Sequence, residues 1–220
     1  MEQLVCTWLG TLSYQEAMHV MENTFRDVVS GHNPVLLLLE HTPVITLGRH
    51  ANAEHIRVDI PTLVQRGIDV AETGRGGDVT FHGPGQLVGY PIMPVGRMVR
   101  RHVDRIFGAL EDMLRQVGIV SSFDVEHPGL WVGHDKIAAV GIEIRDGVSL
   151  HGFCLNVQRK HEGFSYIIPC GIADKGIVYW SDFQKAPSVY EVARLFANYF
   201  ALRCNMMPVF DTSWQNAGIW

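Results

Sequence analysis

The chain has 220 residues, a formal charge of −5 and a pI near 6.1, with 47% hydrophobic and 19% charged side chains. That balance predicts one ordinary globular domain over residues 1–220 and excludes disordered or collagen-like chains, and the negative charge gives no general attraction to nucleic acid. The longest apolar run, Val35 to Leu39, is far short of a bilayer span, and Met1-Glu2-Gln3 starts no basic and apolar leader, so a cytoplasmic protein is expected.

Leu4 to Leu9 reads as a first strand. Ser13-Tyr14-Gln15-Glu16 then has the spacing of a capping box opening a helix that ends near Gly31, with Met18, Met21, Phe25 and Val28 on one face. Val35 to Glu40 and Val44 to Leu47 flank a His-Thr-Pro turn and are expected to pair with each other. A short helix over Pro61–Arg66 follows, with strands at Val70, Val79 to Phe81 and Leu87 to Ile92. Val103, Ile106, Phe107, Leu110, Met113 and Leu114 recur at helical spacing and predict a helix from Val99 to Val117, stopped by Gly118.

Asp146-Gly147 between two β-rich runs predicts a hairpin of Lys136–Ile144 with Val148–Val157. Ser188-Val189-Tyr190-Glu191 repeats the capping box and begins a last helix running to about Leu202, and residues 206–220 read as an irregular tail. The expected class is α+β, or α/β in the broad sense, a mixed sheet flanked by helices.

Cys6, Cys154, Cys170 and Cys204 are too scattered for a disulfide scaffold, and no CxxC pair points to zinc. Cys6 and Cys204 read as buried and inert, Cys154 as intermediate. Cys170 differs, because Pro169 lacks an N–H and Gly171 has little steric restriction, a setting suited to presenting a thiol at a bend; a buried inert cysteine is the alternative. A nucleophilic thiol needs a base or cation nearby. Lys136, among Ile137, Ala138, Ala139, Val140 and Gly141, fits a partly buried acid/base lysine as well as a solvent-facing strand-edge one.

The stretch from Gly74 to Gln86, GRGGDVTFHGPGQ, invests five glycines around Arg75, Asp78, His82 and Gln86. It continues into strand-like Val79-Thr80-Phe81 where a dinucleotide loop opens a helix, and it has no Gly-Lys-Ser/Thr, so nucleotide signatures do not fit. It reads either as a pocket lining of backbone N–H groups or as a turn in which His82 bonds a carbonyl.

Four motifs in order, Arg75 to Tyr90, Lys136-Ile137-Ala138, His151-Gly152-Phe153 with Leu155-Asn156, and Pro169-Cys170-Gly171-Ile172, resemble the octanoyltransferases of lipoate biosynthesis, also called lipoate-protein ligase B. The resemblance implies a biotin/lipoate protein ligase-like fold and transfer of octanoyl from the phosphopantetheine of acyl carrier protein, through a thioester on Cys170 beside Lys136, to a lysine of lipoyl domains of 2-oxoacid dehydrogenases or of the glycine cleavage H protein. It implies neither ATP nor metal, and no membrane partner. Arg75, Gly76, Gly77, Asp78, Val79, Thr80, Phe81, His82, Ala139, Val140, Gly141, Gly152, Phe153 and Cys154 then line the substrate pocket, with Gln86, Tyr90, His151 and Asn156 supporting it. Cys154 stands where relatives often carry alanine, and its role stays open.

Arg97, Arg100, Arg101 and Arg105 cluster at the start of the second long helix and suit either a solvated face or docking of an acidic carrier protein. His32, His41, His50, His55, His102, His127, His134 and His161 show no metal spacing and read as surface or capping groups. The competing functions are an ATP-dependent lipoate or biotin ligase of the same fold, a non-catalytic acyl-binding module and, with no supporting context around Cys170, a cysteine peptidase.

Overall fold

A computed structural model describes residues 1–124, 126–171 and 175–215, with the side chains of Cys170 and Gln215 outside that description. Strand β1 (Gln3–Leu12) leads into helix α1 (Tyr14–Val29), whose Ser13/Glu16 capping box is formed as expected. Strands β2 (Val35–His41) and β3 (Val44–Leu47) follow, then α2 (Ile60–Gln65), β4 (Asp69–Glu72), β5 (Val79–His82) and β6 (Gln86–Ile92). Helix α3 (Val99–Gln116) precedes β7 (Ser122–Asp124), β8 (Gly129–Val132), β9 (Asp135–Arg145) and β10 (Val148–Asn156), and α4 (Val189–Cys204) precedes β11 (Met207–Phe210).

Eight strands form one sheet in the order β11-β1-β2-β6-β10-β9-β8-β7, and three form a second in the order β4-β3-β5. The expected pairing of β2 with β3 does not occur. β2 lies between β1 and β6, whereas β3 pairs with β4 and β5, so the chain changes sheets at Thr42-Pro43. Proline has no N–H to extend a ladder, and its carbonyl instead accepts from Asp69 N–H at 3.0 Å in the second sheet.

The large sheet is covered on both faces, which is why β2 is a continuous apolar run rather than an alternating one. Leu36 and Leu38 pack with α3 and α4, and Leu37 and Leu39 pack on the α1 side. In the small sheet Ile45, Val79 and Phe81 meet Leu63 of α2 and Ile167, while Thr46, Thr80 and His82 alternate to the opposite face, toward the large sheet. The β9–β10 hairpin turns at Asp146 and Gly147, both at positive φ, as the Asp-Gly pair predicts.

The tail expected to be irregular contains β11, which pairs in parallel with β1, and a 3-10 turn over Thr212–Gln215; residues 216–220 lie outside the described residues. Two histidines expected at the surface are buried: His41 within β2, and His102 between α3 and Phe200. Among the described residues no helix is long and apolar enough to cross a membrane.

Candidate active site

A cavity of about 610 Å³ lies between the two sheets and under the start of α3. Its small-sheet wall is the loop Arg75–Asp78 with Thr80 and His82, and its large-sheet wall is Val88, Tyr90, Ala139 to Ile142, and His151 to Cys154. Val103 and Phe107 of α3, and Glu126 to Pro128, complete the rim.

Alternation along β5 decides which motif residues reach this space. Thr80 and His82 face it, but Val79 and Phe81, expected in the wall, turn to the small-sheet core instead. Close strand approach shapes the opposite wall. A Cβ on Gly89 would stand 2.1 Å from the Phe153 ring, so only glycine lets that ring lie across β6.

Arg75 reaches across the glycine loop to the small sheet. Its guanidinium donates to the carbonyl oxygen of Thr46 at 2.7 Å and to its hydroxyl at 2.8 Å. His82 and His151 line the polar floor, and His41 lies behind it against Tyr90; His41 and His82 are held by neutral partners. His41 donates from Nδ1 to the Leu12 carbonyl and accepts the Tyr90 hydroxyl at Nε2, 2.7 Å away. His82 donates to Gln86 Oε1 at 2.7 Å, and Gln86 donates to Asn156 Oδ1 at 2.9 Å. Asn156 in turn reaches the carbonyls of Val178 and Lys136, so Gln86 and Asn156 tie the glycine segment to the lysine's strand. Burial pushes His82 down to about 3, with His41 and Arg75 adding to it, and burial pushes His41 and His151 down to about 4. These imidazoles are neutral at physiological pH, organising groups rather than charges.

Lys136 is 5% exposed. Its ammonium donates to the Pro128 carbonyl at 3.3 Å and lies 4.7 Å from the centroid of the Trp131 ring. A Cβ on Gly129 would stand 2.8 Å from Lys136 Cε, so that glycine leaves room for the lysine stem. A small side pocket joins Lys136, Ala139, Cys154 and Asn156 to Pro169, the residue before Cys170. Cys170 belongs to the 3-10 turn Pro169–Gly171 by its backbone, and its side chain lies outside the described residues; Ile172 of the same motif also lies outside them.

Cys6 and Cys204 match the inert reading, their thiols pushed up to about 12 and about 11 chiefly by burial. Tyr14, Val88, Val103, Phe107, Glu126, Pro128 and Ile142 line the cavity although none was expected there, as do His50 and His127, which were expected as surface or capping groups. Val103 and Phe107 carried only a core-face signal, and the two histidines sit in loops that no local pattern aims at the site. The arginine cluster divides. With about 100° per helical residue, Arg100 lies beside the Val103/Phe107 face, while Arg105 is turned well away toward α4, where it acts on His102 and Cys204.

Residues 13–201 match the family model described as the lipoyl protein ligase A/B catalytic domain. The chain is 38% identical over 221 residues to an octanoyltransferase of Caldicellulosiruptor saccharolyticus, covering 94% of this chain and 92% of that one. It is 39% identical over 190 residues to an octanoyltransferase of Alkaliphilus metalliredigens, covering 84% and 87%. Among solved structures, lipoate-protein ligase A bound with ATP superposes with a TM-score of 0.82 at 21% identity, over 96% of this chain and 89% of that one, which makes the fold that of the lipoate ligases.

Proposed function

The chain belongs to the octanoyltransferases, acyltransferases of lipoate biosynthesis within the lipoyl protein ligase A/B catalytic family, and we propose that it works through a thioester on Cys170 served by Lys136. In the first half-reaction the Cys170 thiolate attacks the carbonyl of octanoyl-acyl carrier protein, a new C–S bond forms, and the phosphopantetheine thiol departs with a proton from Lys136. In the second, the neutral amine of a lipoyl-domain lysine attacks the enzyme thioester; the C–N bond of an amide forms, the C–S bond breaks, the nitrogen gives up a proton to a base, and the Cys170 sulfur leaves as a thiolate. A thioester becomes a thioester and then an amide, so the sequence needs neither ATP nor metal.

The observation that carries this reading is the side pocket shared by buried Lys136 and Pro169, which brings the turn of Cys170 to the lysine's strand. The main cavity supports the choice of acyl group. Val88, Val103, Phe107, Ala139, Val140 and Phe153 offer an apolar track, and burying an eight-carbon chain gains ~0.8 kcal/mol per methylene. Arg97 and Arg100, exposed where α3 meets that track, fit the acidic surface of a carrier protein.

Intact-mass measurement after incubation with octanoyl-acyl carrier protein tests the proposal. One octanoyl adduct is expected, lost on Cys170→Ser, retained on Cys154→Ala and discharged by an acceptor lipoyl domain. An adduct that survives in Cys170→Ser, or product that forms only with ATP and free octanoate, would overturn it.

A further inference from the structure

Asp78 closes the glycine loop and His55 closes the 3-10 turn Ala53–His55, and the fold brings them together. His55 Nδ1 lies 2.5 Å from Asp78 Oδ2, and the other carboxylate oxygen accepts the Asn52 N–H at 3.0 Å. A carboxylate only accepts, so Nδ1 carries a proton and Nε2 faces away from Asp78.

That edge of the ring lies against the turn of Cys170. Gly171 has φ +70, and a Cβ there would stand 2.7 Å from His55 Cε1 and 3.3 Å from Nε2. Backbone contacts fasten the two segments: Ile168 N–H donates to the His55 carbonyl at 2.7 Å, and Arg57 N–H to the Tyr166 carbonyl at 2.8 Å. The side chains of His55 and Asp78 are 24% and 14% exposed, against 5% for Lys136 as a residue. Pro169 of the turn therefore shares a small pocket with buried Lys136, while Gly171 lies against the partly exposed His55.

We propose that His55, oriented by Asp78, is the general base of the second half-reaction, taking the proton of the acceptor lysine's amine. This rests on the reading of Cys170 as the acyl carrier. The neutral amine nitrogen attacks the thioester carbonyl, its proton passes to His55 Nε2, the C–S bond breaks, and the sulfur leaves as a thiolate or is protonated by Lys136. Asp78 stabilises the imidazolium that forms. Lys136 then serves chiefly the donor side and His55 the acceptor side.

Single-turnover measurement on the full chain separates the two steps, with Cys170 charged from octanoyl-acyl carrier protein and then mixed with a lipoyl domain. In His55→Ala, and in His55→Asn, which keeps a donor for Asp78, charging is expected within about threefold of the parent. Transfer to the lipoyl domain is expected to fall on the order of 100-fold. Added imidazole is expected to restore part of the transfer in His55→Ala, a response that a purely structural brace would not give. Undiminished transfer in both variants, or equal losses in both steps without rescue, would overturn the role of His55 while leaving the thioester intact. A charged residue other than Cys170 in the parent chain would overturn the carrier reading, and this one with it.

Discussion

The ammonium of Lys136 lies 4.7 Å from the centre of the Trp131 ring, and the N–H of that same ring donates to the His127 carbonyl at 2.9 Å. Trp131 thus fixes both the lysine and the loop whose Pro128 carbonyl accepts from it. A cation–π contact of this kind contributes about 0.5–2 kcal/mol, so Trp131→Leu is expected to slow octanoyl transfer roughly 2- to 30-fold. Trp131→Phe, which keeps a ring face, should recover much of that loss. Steady-state kcat, with Tm measured alongside to separate packing from catalysis, checks it.

Ala139 and its cross-strand neighbour Cys154 line one wall of the cavity. Ala139→Leu should remove space for two or three carbons of the acyl chain, which at ~0.8 kcal/mol per methylene costs octanoyl binding on the order of 2 kcal/mol. A shift of preference toward butyryl or hexanoyl donors in competition assays is the expected result; unchanged preference would place the chain elsewhere.

The arginines should not act alike. Arg100→Glu, on the cavity side of α3, is expected to raise KM for octanoyl-acyl carrier protein severalfold and more at low salt, where surface charge is least screened. Arg105→Glu, turned toward α4, should leave KM within twofold. A KM titration at two ionic strengths decides.

Buried histidines make stability depend on pH with a definite sign. His41, His102 and His151 are pushed down to about 4 and His82 to about 3, each chiefly by burial, from an ordinary value of 6.5. Between those limits the unfolded chain binds more protons than the folded one, so stability is highest above pH 6.5 and falls as pH drops toward 4. Urea unfolding at pH 7.5 and pH 5 should show a lower midpoint at pH 5. His102, whose ring nitrogens have no hydrogen-bond partner among the described residues, adds a cost at every pH, and His102→Leu should raise stability by on the order of 1 kcal/mol and flatten the pH dependence.

Local chemistry made much of this readable in advance. Ser13/Glu16 and Ser188/Glu191 cap their helices, and Asp146-Gly147 turns its hairpin, because each signal is complete within four residues. The pairing of β2 with β3 failed because strand partners are chosen over long distances, and Thr42-Pro43 marks a turn without saying which sheet it enters. Val79 and Phe81 were misplaced for a related reason: period-two alternation tells which residues share a face, not which face meets the cavity. His55 escaped notice because its partner Asp78 is 23 residues away and the spacing carries no motif. The three residues of β7 were too few to leave a hydrophobic period.

The pairing of β11 with β1 has a consequence for how the molecule assembles. Thr7 and Asp211 bond across 204 positions of sequence, and the Trp214 indole reaches the Cys6 carbonyl nearby. Closing so long a loop is entropically costly, whereas the β9–β10 hairpin needs a turn of two residues, Asp146 and Gly147, between its strands. The segment that supplies Lys136 can therefore form early, and β11 seals the far edge of the sheet late. A nascent or mildly denatured chain in which β11 is not yet paired would leave β1 without its outer neighbour, an open template for unwanted association.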